Sequence, residues 1–118
     1  MYGLPSDFDP SVFVGHKLNL LSFTENTIHF AFDGDIAITT TSSFVHVHSL
    51  HEPGRKHVVP VESSRLMSLV GKTVSRSSAE PGGTLSLHFE DGEQLSLLDD
   101  SREYESYTVR VGDKEFIV

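Results

Sequence analysis

Seven histidines are many for 118 residues, and three of them stand close together: His46, His48 and His51. Side chains alternate between the faces of an extended strand, so His46 and His48 project from one face while His51 follows in the next loop. Two or three imidazoles at that spacing could ligate a zinc-like cation. The set comes from one local segment without any cysteine, and a real centre also needs partners that orient each ring. We therefore expect no tight metal site and no cofactor, and keep His46, His48 and His51 as the metal candidates. His29 and His88 fall outward on two strands of similar pattern and could flank one surface.

The second place where chemistry could sit is Tyr104-Glu105-Ser106-Tyr107. Alternation puts Glu105 on the face of Tyr107, Val109 and Val111, which should be the core side of a strand. Desolvation raises a carboxyl pKa, so a buried Glu105 could act as a general acid or base. A buried carboxylate must also be hydrogen-bonded whatever its role, and the Asp99-Asp100-Ser101 turn offers backbone N–H groups. The expectation is a buried, structural Glu105. No nucleophile elbow, phosphate-binding glycine loop or paired metal motif accompanies it, which points away from an enzyme.

Charge narrows the partners. Nine Lys and Arg against 17 Asp and Glu give a net charge of -8 with His neutral, so a phosphate backbone would meet repulsion and nucleic-acid binding is disfavoured. The charge is uneven. Glu90, Asp91, Glu93, Asp99, Asp100, Glu103 and Glu105 face the single cation Arg102 within their stretch. Together with Tyr104 they form a candidate contact face for a basic protein partner, whose association would be fast and salt-dependent. The chain has no Cys, which removes disulfides and thiolate chemistry and suits a cytoplasmic setting. No basic-then-apolar leader and no run near ~20 apolar residues is present, so no membrane contact is expected.

These side chains must be positioned by β-structure. Thr84 to Leu97 holds two alternating apolar runs around Asp91-Gly92, the pattern of a half-buried hairpin. Thr27 to Phe32 and Ile36 to Thr41 repeat it around Asp33-Gly34. A two-residue loop there would place Phe32 opposite Asp35, so a three-residue loop or a bulge is expected, setting Phe32 with Ile36. Phe44 to His48 and Tyr107 to Val111 read as further strands, and His57 to Val61 as a short edge strand. Asp9-Pro10 opens a short helical turn at 10–14 that Gly15 ends. One longer helix is expected at about 62–70, with Ser63 as N-cap, Leu66, Leu69 and Val70 on one face and Gly71 as its stop.

The two halves read alike. Val14-Gly15-His16-Lys17-Leu18 corresponds to Val70-Gly71-Lys72-Thr73-Val74, and Thr27–Gly34 to Thr84–Gly92. This predicts pseudo-repeats at about 10–50 and 62–118, related by a pseudo-two-fold axis and sharing one core, because neither alone has enough apolar surface.

The second half, about residues 66 to 111, resembles a family of small, mainly bacterial domains of unknown function. The matching residues are Leu69-Val70-Gly71-Lys72-Thr73-Val74, then Leu85 to Gly92, then Asp99-Asp100-Ser101 leading to Tyr104-Glu105-Ser106-Tyr107. That resemblance implies no activity. Some such domains are similar to immunity proteins in size, charge and fold class. The sequence therefore predicts a single α+β domain over 1–118, mostly antiparallel β with one short helix, and a non-enzymatic protein-interaction module using the acidic face. A small-molecule or metal-binding domain through His46, His48 and His51, or an enzyme built on Glu105 with Ser106, are the alternatives.

Overall fold

The computed structural model describes residues 3–48, 54–59, 65–101 and 105–118. Alternating apolar residues build ten strands: β1 (Leu18–Phe23), β2 (Ile28–Phe32), β3 (Ile36–Thr40), β4 (Ser43–Val47), β5 (Arg55–Val58), β6 (Val74–Ala79), β7 (Leu85–Phe89), β8 (Gln94–Leu97), β9 (Tyr107–Val111) and β10 (Lys114–Ile117). They form two five-stranded sheets, ordered β1-β2-β3-β9-β10 and β5-β4-β8-β7-β6. Every neighbouring pair is antiparallel. Each sheet thus combines a three-strand meander from one half of the chain with a two-strand hairpin from the other.

The inward residues of both sheets meet in one core. Ile28, Phe30 and Phe32 from β2 share it with Leu85, Leu87 and Phe89 from β7, Phe44 from β4 and Tyr107 and Val109 from β9. The lead-in is held by aromatic edges: the Phe8 ring lies 4.9 Å from Phe116, and Phe13 lies 5.5 Å from Phe32. Such edge-to-face pairs add stability beyond the area they bury. Phe32 pairs with Ile36, so the loop at Asp33-Gly34-Asp35 has three residues and keeps both apolar side chains inward, as parity requires.

The sheets are joined where the halves meet. Lys17 and Thr73 form an antiparallel bridge. Around it Gly15 N–H donates to Val74 O (2.8 Å), Val74 N–H to His16 O (2.9 Å), Leu18 N–H to Lys72 O (3.0 Å) and Gly71 N–H to Leu18 O (2.7 Å). Both strands beside this seam carry a register shift, between Leu18 and Leu20 in β1 and between Val74 and Arg76 in β6.

Helical structure is scarcer than the sequence suggests. Asp9 caps a 3-10 turn at Pro10–Phe13, its carboxylate accepting from Ser11 N–H at 3.0 Å, as the Asp-Pro signal requires. The helix expected at 62–70 is replaced by a 3-10 turn at Leu66–Leu69, and no α-helix occurs among the described residues. The expected N-cap Ser63 lies outside the described residues. Among the described residues of that segment only Leu66 and Leu69 are buried, whereas Val70 is extended and exposed. Two inward residues three apart suit one 3-10 turn, and a single turn gives too few hydrogen bonds to offset α-helix nucleation. The edge strand expected at 57–61 is β5, which lies earlier, at Arg55–Val58. No helix among the described residues is long and apolar enough to cross a membrane.

Candidate functional site

β4 carries Phe44 and His46 on its core-facing side, and His48 follows just beyond its end. β8 lies beside β4, with His46 opposite Leu95 and Val47 opposite Gln94. The β7–β8 connection is pinned by Phe89 N–H donating to Glu93 O at 2.9 Å. That register sets Glu93 on the inward side with Leu95 and Leu97, beside the two imidazoles. Ser68, in the 3-10 turn at Leu66–Leu69, completes the cluster.

The contacts are close. His46 Nε2 lies 2.9 Å from Glu93 Oε2, and Ser68 Oγ lies 2.8 Å from the same oxygen. Ser68 Oγ is also 3.3 Å from His48 Nδ1 and 2.7 Å from Arg65 O. His48 Nδ1 stands 3.7 Å from Glu93 Oε2. One ligating atom each from His46, His48 and Glu93 falls within 4.8 Å of the others. His46 is 6% exposed and Glu93 4%, whereas the His48 side chain is 35% exposed and opens the cluster to solvent. Behind it, Asp91 accepts from Glu93 N–H at 3.0 Å and pairs with Lys72 at 3.2 Å. Burial pushes the Asp91 carboxyl up, but the Glu93 and Lys72 contacts outweigh it and hold it below the usual range.

Strand register allows the cluster to be compared with the other sheet. Glu93 follows Phe89 as Ile36 follows Phe32, and His46 lies opposite Leu95 as Val109 lies opposite Ile38. Continuing the register, His48 corresponds to Val111, and Ser68, third in its 3-10 turn, to Val12. Ile36 and Val109 are buried, and Val12 and Val111 pack against the core. A site that is apolar in one sheet is a buried carboxylate with two imidazoles and a hydroxyl in the other.

The sequence candidates separate in the structure. His46 and His48 come together as expected, and His51 lies outside the described residues. Their third partner is Glu93, which the sequence reading assigned to the acidic face. The signal was available: with a three-residue loop at Glu90-Asp91-Gly92, parity aims Glu93 inward with Leu95. His29 and His88 do not flank one surface. Each lies between inward residues on a different sheet, so they occupy opposite outer faces, His29 Nδ1 2.8 Å from Thr39 Oγ1 and His88 beside Arg76. Burial first, then the Arg76 guanidinium, holds the His88 imidazole below its ordinary value.

Glu105 is exposed, contrary to the expectation from alternation, and Ser106 is the buried polar residue. β9 begins only at Tyr107, and the N–H groups of Ser106 and Tyr107 both donate to Val118 O. That doubled contact breaks the alternation and turns Glu105 outward. Ser106 Oγ instead donates to Asp99 Oδ1 at 2.7 Å and accepts from Ser101 N–H at 3.2 Å.

The acidic stretch is largely engaged within the chain. Asp99 also accepts from Gly3 N–H at 2.7 Å. Asp100 accepts from the Ser42 and Ser43 hydroxyls and pairs with Lys56 at 2.9 Å. Glu90 and Glu105 are exposed, and Glu103 and Tyr104 lie outside the described residues.

A family model described as a family of unknown function, DUF6188, matches residues 10–118. The chain belongs to DUF6188. The match spans both halves, where the sequence resemblance rested mainly on the second. No curated protein and no solved structure matches the chain. For this DUF6188 domain the His46–Glu93–His48–Ser68 cluster is therefore read from its own chemistry.

Proposed function

We propose that this domain is a small-ligand-binding module whose site is the His46–Glu93–His48–Ser68 cluster. The observation that carries the reading is the buried Glu93 carboxylate at a position that holds Ile36 in the other sheet. Burying a carboxylate costs free energy even when it is paired. The fold does not require that cost, because the equivalent place packs well with aliphatic side chains. Residues kept against packing belong to function more readily than to stability.

Binding fits the geometry better than catalysis. A hydroxyl–imidazole–carboxylate relay needs the hydroxyl and the carboxylate on opposite ring nitrogens. Here Ser68 and Glu93 both approach Nδ1 of His48. The acidic-face reading, with a basic protein as partner, is weakened by the intramolecular bonds of Asp91, Asp99 and Asp100.

The test is to give the cluster the side chains of the other sheet: Ser68→Val, His46→Val, His48→Val and Glu93→Ile together. Replacing a buried ionic cluster by apolar groups of similar volume is often neutral or stabilising by about 1–4 kcal/mol. The combined variant should unfold at an equal or higher denaturant concentration. A loss of several kcal/mol would make the cluster a structural device and remove the reading.

We also propose that the two halves descend from one duplicated unit. Exchanging β1–β5 for β6–β10 maps one sheet order onto the other, and the paired register shifts and the Lys17–Thr73 bridge support it. Superposing 14–47 on 70–110, with Phe32 on Phe89, is the check, and different handedness in the two halves would end the idea.

A further inference from the structure

We infer that the ligand is a single divalent transition ion of zinc's class, coordinated by His46 Nε2, His48 Nδ1 and the Glu93 carboxylate. This rests on the ligand-binding reading above. One donor atom from each of the three side chains lies within 4.8 Å of the others, close enough to converge on a single ion. In a tetrahedral centre with bonds of ~2.1 Å, donor atoms stand roughly 3.4 Å apart. His46 Nε2 and Glu93 Oε2 at 2.9 Å, and His48 Nδ1 and Glu93 Oε2 at 3.7 Å, bracket that separation. The remaining separation within the set is at most 4.8 Å, and coordination would draw the three donors together. The 3.7 Å contact is too long for a direct hydrogen bond, and Ser68 Oγ bridges the His48 imidazole and the Glu93 carboxylate instead.

The donor chemistry selects the ion. Two imidazoles with one carboxylate suit zinc and its neighbours in the transition series, whereas calcium and magnesium take sets built from oxygen. Two histidines and a glutamate leave a fourth position for water or an added group. Ser68 Oγ, in contact with both Glu93 and His48, is a polar group next to the donor set. The site is also braced. His46 lies in β4 and Glu93 directly precedes the adjacent β8, and the Glu93 backbone is fixed by Phe89 and by the Asp91 carboxylate. Half-exposed His48 provides the entry path. The sequence alone, with His51 as third donor, argued against a tight site. Glu93 changes the set from three local histidines to two histidines and a carboxylate just before the neighbouring strand β8.

The test uses the full chain after chelation and dialysis, titrated with zinc chloride by calorimetry, with magnesium chloride as the comparison ion. Saturable one-to-one zinc binding is expected, with no comparable response to magnesium. Glu93→Gln and His48→Ala should each weaken it roughly tenfold or more. His48 is half-exposed, so His48→Ala keeps the buried His46–Glu93 pair and should fold. In imidazole nitrogen spectra, zinc should move the His46 and His48 signals and leave His29 and His88 unchanged. Absence of one-to-one binding, unaltered affinity in both variants, or equal binding of magnesium would overturn the metal assignment. Those results would leave the ligand-binding reading standing if the four-residue apolar variant folds as well as the native chain. A badly destabilised apolar variant would sink that reading whatever zinc does.

Discussion

Glu105 and Ser106 are adjacent, and the structure gives them opposite environments. Ser106 is fully buried, its hydroxyl shared between Asp99 and Ser101 N–H, while Glu105 faces solvent. Removing a buried hydroxyl leaves its partners unsatisfied, so Ser106→Ala should cost about 1–3 kcal/mol. Glu105→Ala should stay within roughly 0.5 kcal/mol of the native chain. Denaturant unfolding of both variants checks the pair, and a reversed order would restore Glu105 as the residue that matters. Glu93 shows the converse. Its sequence neighbours mark it as one of many acidic residues, but hairpin parity turns it inward, where it meets His46 and Ser68. The face a carboxylate takes depends on the last residue counted in the strand, so one extra residue at Ser106 and a three-residue loop before Glu93 decide both cases.

At the scale of elements, Asp100 ties three segments together. It follows β8, accepts from Ser42 and Ser43 at the start of β4, and pairs with Lys56 on the edge strand β5. Burial pushes its carboxyl up, but those hydroxyls and the ammonium win and hold it well below the usual carboxylate range. A folded-state pKa depressed below the unfolded value of about 3.9 stabilises the fold above that pH. The contribution is lost as pH falls below about 4 toward the folded-state value. The Asp100 side chain is 37% exposed, so solvent screens the effect to about 1 kcal/mol. The stability gap between the native chain and Asp100→Asn should be full at neutral pH and shrink steadily below about pH 4. A gap that stays constant into strong acid would show that the clamp carries no ionic contribution. In the 3-10 turn at Leu66–Leu69, Leu66 and Leu69 both reach the core from a single turn.

For the whole molecule the decisive fact is exchange between halves. β3 pairs with β9 and β4 with β8, so each sheet needs strands from both ends of the chain. A fragment of residues 1–61 has the meander β1-β2-β3 but not β9-β10, and 62–118 has β6-β7-β8 but not β4-β5. Each would expose a half-core and an unpaired strand, which a domain of that size rarely survives. Neither fragment should show cooperative thermal unfolding alone, and an equimolar mixture should regain the native β spectrum. Cooperative unfolding of either fragment by itself would refute this. The same non-local pairing predicts slow folding for a chain of this length, because loop closure precedes the contacts that reward it.

Local chemistry determined a good deal here. Alternation located most of the strands and the inward residues Ile28, Phe30, Phe32, Tyr107 and Val109, though not the bounds of β5 or the face of Glu105. The Asp9-Pro10 cap located the first turn, and parity asked for a three-residue loop or a bulge, of which the structure has the loop that pairs Phe32 with Ile36. These follow from the two-residue period of a strand and from capping, both of which act within a few residues. Tertiary structure decided the rest. It set a 3-10 turn at Leu66–Leu69 where a helix was expected, because only two side chains among the described residues of that segment are buried. It placed β9 beside β3 and β8 beside β4, a choice among strand edges that local pattern leaves equal. Through that choice it joined His46 and His48 to Glu93 and Ser68, since residues distant in the chain meet only when their strands pair.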